Sequence, residues 1–187
     1  MTNPKRAILL RGKEKSLSRK HPWIFSGALK SKDKDIEEGD LVRVFSSEGE
    51  FLCIGHWQNG SIAVKVLSFE NERIDYGFVL ERIRTAVELR QTIGMFTDKD
   101  TTIFRLVNGE GDFMPSLIAD YYDGLVVVQF HSIGMYLLKE EIVQALKEIL
   151  QDNCKAIYCK SSSTLPKQEG IIAKDEFMFG TLEEDWY

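Results

Sequence analysis

The segment Asp40–Phe69, DLVRVFSSEGEFLCIGHWQNGSIAVKVLSF, constrains the fold more than any other. It holds short runs of β-branched and aromatic residues, broken by Ser-Ser-Glu-Gly and Gln-Asn-Gly, the residue types that close hairpins. Leu41, Arg43 and Phe45 alternate only loosely with Val42 and Val44, as strands do in a small closed barrel with little exposed face. Upstream, Ala7–Leu10 is a further apolar run closed by Arg11-Gly12. Pro22 breaks any long helix, and Ser26-Gly27 marks a turn. These signals predict a compact β pseudobarrel over residues 1–70.

The polar stretch ENERID (70–75) is the expected boundary, and a second domain is expected over 74–187. YGFVLERIRTAVELRQTIG places apolar residues at 79, 80, 83, 86, 87 and 89, a helical stripe ended by Gly94. Glu81, Arg82, Arg84, Glu88 and Arg90 read as its solvated side. TTIFRLVNG (101–109), SLIADYY (116–122) and GLVVVQFH (124–131) read as strands, the last two joined by an Asp123-Gly124 hairpin turn. A second helix is expected over 136–150, a strand over 155–162 and a last short strand over 176–180. The predicted fold class is therefore mixed: a β pseudobarrel, then an α+β domain with a mostly antiparallel sheet and two helices. The ending GTLEEDWY has the look of a linker.

With 187 residues, 43% of them hydrophobic and 28% charged, the chain has an ordinary globular composition. No apolar run approaches the ~18 residues that cross a bilayer, and the first fifteen residues lack the pattern of a signal peptide. Cys53, Cys154 and Cys159 are too few and too irregularly spaced for a disulfide framework or a four-ligand zinc site. They read as buried thiols in a reducing cytoplasm.

The net charge of −5 conceals an asymmetry. Residues 1–34 hold ten of the 24 basic residues and two of the 29 acidic ones, for a local charge of +8 against −13 in the remainder. Such a division points to an anionic partner for the amino-terminal segment, with nucleic acid the first candidate. Within LLRGKEKSLSRKHPWIFSGAL (9–29), Arg11, Lys13, Lys15, Arg19 and Lys20 are the candidates for phosphate contact, and His21 adds a donor whose charge depends on pH. Trp23 and Phe25 have the chemistry to stack on a base, but in an HPWIF knot they read as barrel filling. His56 reads as satisfying a strand-edge carbonyl, with Trp57 beside it at a strand end, and His131 as a buried, hydrogen-bonded histidine.

The stretches GKEKSLSRKHPWIFSGAL and GDLVRVFSSEGEFLCIGHWQNGSIAVKVLS resemble the amino-terminal PUA domain of the bacterial 23S rRNA (cytosine-5-)-methyltransferases. FRLVNGEGDFMPSLIADYYDGLVVVQFHSIGM resembles that family's central domain, with Met114 where Leu is usual and Ser116 where Gly is usual. The resemblance implies a PUA-like RNA-binding barrel over 1–70 and the central α+β domain over 74–187. It also implies that the S-adenosylmethionine-binding catalytic domain is absent, so that no catalytic residue, cofactor-binding residue or metal ligand is expected here. S-adenosylmethionine is expected for the full-length enzyme. The implied partner is RNA, 23S rRNA in particular, with no membrane; a homodimer stays open.

The resemblance further places Arg105, Asn108, Glu110 and Asp112 where the central domain meets the substrate cleft. Read without it, Glu110, Asp112 and Asp120 are also a set of carboxylates for a divalent metal or for acid/base work, or loop residues bonded to their own backbone. NGEGD (108–112) follows a strand but precedes Pro115 and another strand, so it does not read as a cofactor-binding glycine turn. The expected function is RNA binding and substrate recognition for a SAM-dependent rRNA methyltransferase. The alternative is a module that docks another protein through the acidic second domain.

Overall fold

In the computed structural model, which describes residues 4–98 and 100–181, the turn signals fall where chain direction reverses. The chain divides into two units, one of residues 1–73 with Ser132–Met135, the other of 74–131 with 136–187.

The first unit is built from β1 (Lys5–Leu9), the short helix α1 (Lys15–Ser18), β2 (Trp23–Phe25), β3 (Leu29–Lys32), β4 (Leu41–Phe45), β5 (Phe51–Trp57) and β6 (Ile62–Ser68). The sheet order is β2-β6-β5-β4-β1-β3, antiparallel except for the parallel pair β1–β4. Register shifts interrupt four of its five pairings, and each such bulge sharpens the local twist that curls the sheet. At one of them Gly55 is required, because a Cβ there would lie 2.2 Å from the Lys65 carbonyl oxygen. Ala7, Leu9, Leu17, Ile24, Val42, Val44, Cys53 and Val64 form the core. The alternation in β4 is cleaner than the sequence suggested, with Val42 and Val44 fully buried. Of the outward positions, Phe45 is covered by the Arg6 guanidinium at 4.2 Å.

One expectation about this strand changes. β5 lies inside the sheet, so His56 is not at an edge; it is 4% exposed. Gly134 meets the imidazole so closely that a Cβ would lie 2.2 Å from it. Burial lowers the His56 pKa to about 4, which keeps the ring neutral. Trp57 is likewise buried, its indole N–H donating to Asn59 Oδ1 over 3.0 Å and its ring covered by Lys32 Nζ at 4.1 Å, so it offers no surface for stacking.

The second unit holds α2 (Tyr76–Thr92), β7 (Ile103–Asn108), β8 (Leu117–Tyr122), β9 (Leu125–Phe130), α4 (Lys139–Leu150), β10 (Ala156–Cys159) and β11 (Glu176–Phe179), while α3 (Ile133–Tyr136) belongs to the first unit save for Tyr136. Asp75 caps α2 by accepting from the Phe78 N–H over 3.3 Å. The sheet order is β11-β10-β9-β8-β7, antiparallel except for β9–β10, which α4 connects. The β8–β9 hairpin turns on Asp123 and Gly124, both with positive φ (45° and 100°), as a two-residue turn of matching twist requires. The expected helix over 136–150 starts later, at Lys139. His131 is exposed rather than buried. Cys53, Cys154 and Cys159 are all free and buried. No helix among the described residues is long and apolar enough to cross a membrane. Of the GTLEEDWY ending, residues 182–187 lie outside the described residues.

Candidate nucleic-acid interface

α1 is too short to persist alone, and its capping explains how the basic segment is held. Leu17 anchors it in the barrel core. At its carboxyl end the Lys20 N–H donates to the Leu17 carbonyl over 2.8 Å and the His21 N–H to the Ser16 carbonyl over 3.1 Å. This is the paired C-terminal cap in which one residue adopts left-handed backbone, normally glycine. Here that residue is Lys20, with φ 58°.

Arg11, Lys13, Lys15, Arg19, Lys20 and His21 are all exposed. Among the described residues none of the five cations is ion-paired with a carboxylate; Lys20 Nζ rests on the Phe69 ring at 4.5 Å. By contrast Lys5, in the adjoining strand, is paired with Asp35. His21 sits edge-on to Trp23 with ring centroids 5.9 Å apart, and its Nδ1 accepts from the Trp23 N–H over 3.2 Å. Trp23 is half-buried and Phe25 is 50% exposed, so Phe25 is not the barrel filling the sequence suggested.

The second candidate cluster is arranged differently. β7 gives way to a single 3-10 turn at Gly109–Asp112 and then to β8, through two left-handed residues, Phe113 (φ 55°) and Ser116 (φ 72°). Ser116 thus carries the conformation for which glycine is the ordinary choice. Met114 is fully buried, as a leucine there would be. Arg90, expected on the solvated side of α2, is instead 9% exposed. Its guanidinium donates to both Asp112 carboxylate oxygens over 2.6 and 2.7 Å, to the Arg105 carbonyl over 3.0 Å and to the Ala86 carbonyl over 3.2 Å. Asp112 also accepts from the Asn108 N–H over 2.6 Å. Asp112 is therefore the clasp of its own loop.

Arg105 donates to Asp120, directly across the β7–β8 ladder, over 2.9 and 3.3 Å, and to Asn108 Oδ1 over 3.5 Å. Asp112 and Asp120 each engage an arginine with both oxygens, so they do not combine with Glu110 into a metal cage. Arg105 and Asn108 keep exposed surface, and Glu110 is half-buried. The signal for Arg90 was present: positions 79, 83, 86 and 90 repeat at helical spacing, so Arg90 lies on the apolar stripe.

Residues 7–69, the curled six-stranded sheet with the exposed basic segment between β1 and β2, match the family described as a PUA-like domain. Over most of its length the chain is similar to ribosomal RNA large subunit methyltransferases. It is 34% identical over 168 residues to ribosomal RNA large subunit methyltransferase I of Erwinia tasmaniensis, covering 89% of this chain and 41% of the relative. It is 36% identical over 166 residues to the protein of that name from Alteromonas mediterranea, covering 88% and 41%. The chain thus spans about two-fifths of the length of these relatives. A solved structure described as a candidate SAM-dependent methyltransferase from Streptococcus mutans shares the fold, with a TM-score of 0.78 at 17% identity, over 95% of this chain and 44% of that one.

Proposed function

We propose that the chain is the RNA-holding part of a SAM-dependent rRNA methyltransferase that acts on cytosine C5, and that 23S rRNA is its partner. The observation that carries this reading is the exposed, unpaired set Arg11, Lys13, Lys15, Arg19 and Lys20 on a PUA-like domain whose other positive and negative charges are partly paired. Each such cation neutralises a phosphate and releases counterions, so affinity follows salt and little base sequence is read. A bacterial cytoplasm is the setting that fits three reduced, buried thiols and an rRNA substrate.

S-adenosylmethionine supplies the methyl group in this reading, and its site lies on a domain outside residues 1–187. The glycine-rich turn after β7, Asn108–Asp112, does not fit the cofactor: it leads into β8 rather than the amino end of a helix, and Asp112 is held by Arg90. Arg105, Asn108 and Glu110 are assigned to the edge of the substrate cleft, with Asp112 shaping their loop. Replacing Glu110 by Gln in the intact enzyme should lower methylation with the fold unchanged; unchanged methylation removes Glu110 from the cleft.

The experiment for the whole reading is a titration of the chain with an rRNA fragment at several salt concentrations. Affinity should fall steeply with salt and largely vanish when Arg11, Lys13, Arg19 and Lys20 become alanine. Binding that ignores salt and these residues overturns it in favour of a protein-docking module working through the acidic second unit.

A further inference from the structure

The chain contains two Asn-Gly pairs, Asn59-Gly60 and Asn108-Gly109, and the fold treats them oppositely. Gly109 is buried with φ 52°, in the left-handed region that favours glycine. The Asn108 N–H is held by Asp112 over 2.6 Å, and the Gly109 carbonyl accepts from the Met114 N–H over 3.0 Å. Gly60, in the exposed turn between β5 and β6, has no left-handed φ, and a Cβ on it would meet nothing within 4 Å. That turn does not need a glycine. The Gly60 N–H makes no hydrogen bond among the described residues, and the exposed Asn59 amide is oriented by one bond, Oδ1 accepting from Trp57 Nε1 over 3.0 Å.

We propose that Asn59-Gly60 is a self-modification site, at which the Asn59 amide converts to aspartate and isoaspartate without an enzyme. The Gly60 nitrogen attacks Asn59 Cγ. A Gly60 N–Asn59 Cγ bond forms, the Asn59 Cγ–Nδ2 bond breaks, and ammonia leaves with the proton of the Gly60 N–H. A water then opens the cyclic imide. Opening at Cγ leaves aspartate, and opening at the Asn59 backbone carbonyl leaves isoaspartate, with the chain running through Cβ and Cγ. The attack needs a nitrogen uncrowded by a Cβ, an N–H committed to no other acceptor and a turn able to rotate. Asn59-Gly60 meets all of these conditions, whereas the clasped loop holds Asn108-Gly109 in place. The Trp57 N–H donates to the oxygen on which charge gathers as the ring closes. Glu38, whose carboxylate accepts from the Asn59 N–H, puts a base beside the turn. The product sets a new carboxylate next to Glu38, and the two repel. It also alters the turn that fixes the end of β2, where the Ser26 N–H donates to the Ser61 carbonyl over 2.8 Å.

The test uses the full chain, aged warm in mildly alkaline buffer and followed by peptide mass mapping. The tryptic peptide Val44–Lys65 should gain the mass of an amide-to-acid exchange about tenfold faster than the peptide carrying Asn108. A protein-isoaspartate carboxyl methyltransferase should label the aged chain and leave the fresh chain unlabelled. Gly60→Ala should keep the circular dichroism and thermal midpoint of the parent while slowing the change at Asn59 about tenfold. In denaturant the two Asn-Gly pairs should convert at similar rates, because the difference between them belongs to the fold. Equal conversion of Asn59 and Asn108 in the folded chain overturns the proposal. So does a folded Gly60→Ala chain that converts at the parent's rate, or an Asn59 amide that stays intact in the folded chain for as long as the unfolded chain takes to convert.

Discussion

Arg19 and Arg90 are the same residue type, each in the last turn or just beyond the end of a helix, and they have opposite fates. Arg19 stands in water with no carboxylate partner among the described residues, one of five such cations in ten residues. Arg90 is buried, with both edges of its guanidinium engaged by Asp112 and by two backbone carbonyls. In the first unit charge faces outward, free to meet a phosphate. In the second unit two of the four arginines are hydrogen-bonded by carboxylates of their own fold, Arg90 by Asp112 in the interior and Arg105 by Asp120 on the sheet surface. Charge counted is therefore not charge available, and a buried bidentate pair acts as a fastener rather than a binding site.

The strongest attempt to break this contrast is Arg90→Ala. It leaves the Asp112 carboxylate buried without a counter-charge, and should cost about 3–5 kcal/mol of unfolding free energy, read from urea denaturation. RNA affinity per folded molecule should stay the same, and a large change there would show that the two units do not divide the work as described. The reverse experiment removes Arg11, Lys13, Arg19 and Lys20 together. Stability should move little, while RNA affinity falls about a hundredfold and the salt slope becomes shallower by up to about 0.7 per lost contact.

The two histidines of the first unit differ in burial. His21 is exposed, whereas His56 is buried, with a pKa lowered to about 4 by loss of solvation. The unfolded chain protonates His56 near the ordinary imidazole value of 6.5, and the folded chain resists until about 4. The stabilisation is thus fully present above about 6.5 and is lost as pH falls, at up to ~1.4 kcal/mol per unit. Between pH 7 and 5 the parent should lose about 2 kcal/mol, and His56→Gln should flatten that decline; an equal slope in the variant would sink the assignment. The smallest effect is expected at Lys20, whose left-handed backbone costs an L-residue about 1 kcal/mol. Lys20→Gly should raise the thermal midpoint by a few degrees while weakening RNA binding slightly, separating the needs of the helix cap from those of the interface.

The sequence made several elements legible for identifiable reasons. Asp123-Gly124 announced its hairpin because only residues tolerant of positive φ turn that corner. The β-branched runs of 41–68 announced strands because hairpin residues separated them. Arg11–Lys20 announced its exposure through density of charge, since so many cations cannot be buried without partners. The 79, 83, 86 spacing marks the buried face of α2, and Arg90 on the same stripe is hidden from sequence reading because an arginine signals solvent unless its buried partner, Asp112, is known. Phe25 failed in the opposite direction, being apolar and adjacent to core residues but turned outward at the lip of a cleft.

What the sequence determined by itself were properties carried by neighbours along the chain: turn chemistry, strand and helix periodicity, and the concentration of positive charge near the amino end. What only the tertiary structure decided were pairings between residues far apart in sequence. Arg90 with Asp112, Arg105 with Asp120, His56 against Gly134, and the cleft between α1 and β2 are of this kind. The reason is physical. Backbone conformation is set largely by local sterics, whereas the fate of a charge or a ring depends on desolvation, and that is fixed only once distant segments have closed around it.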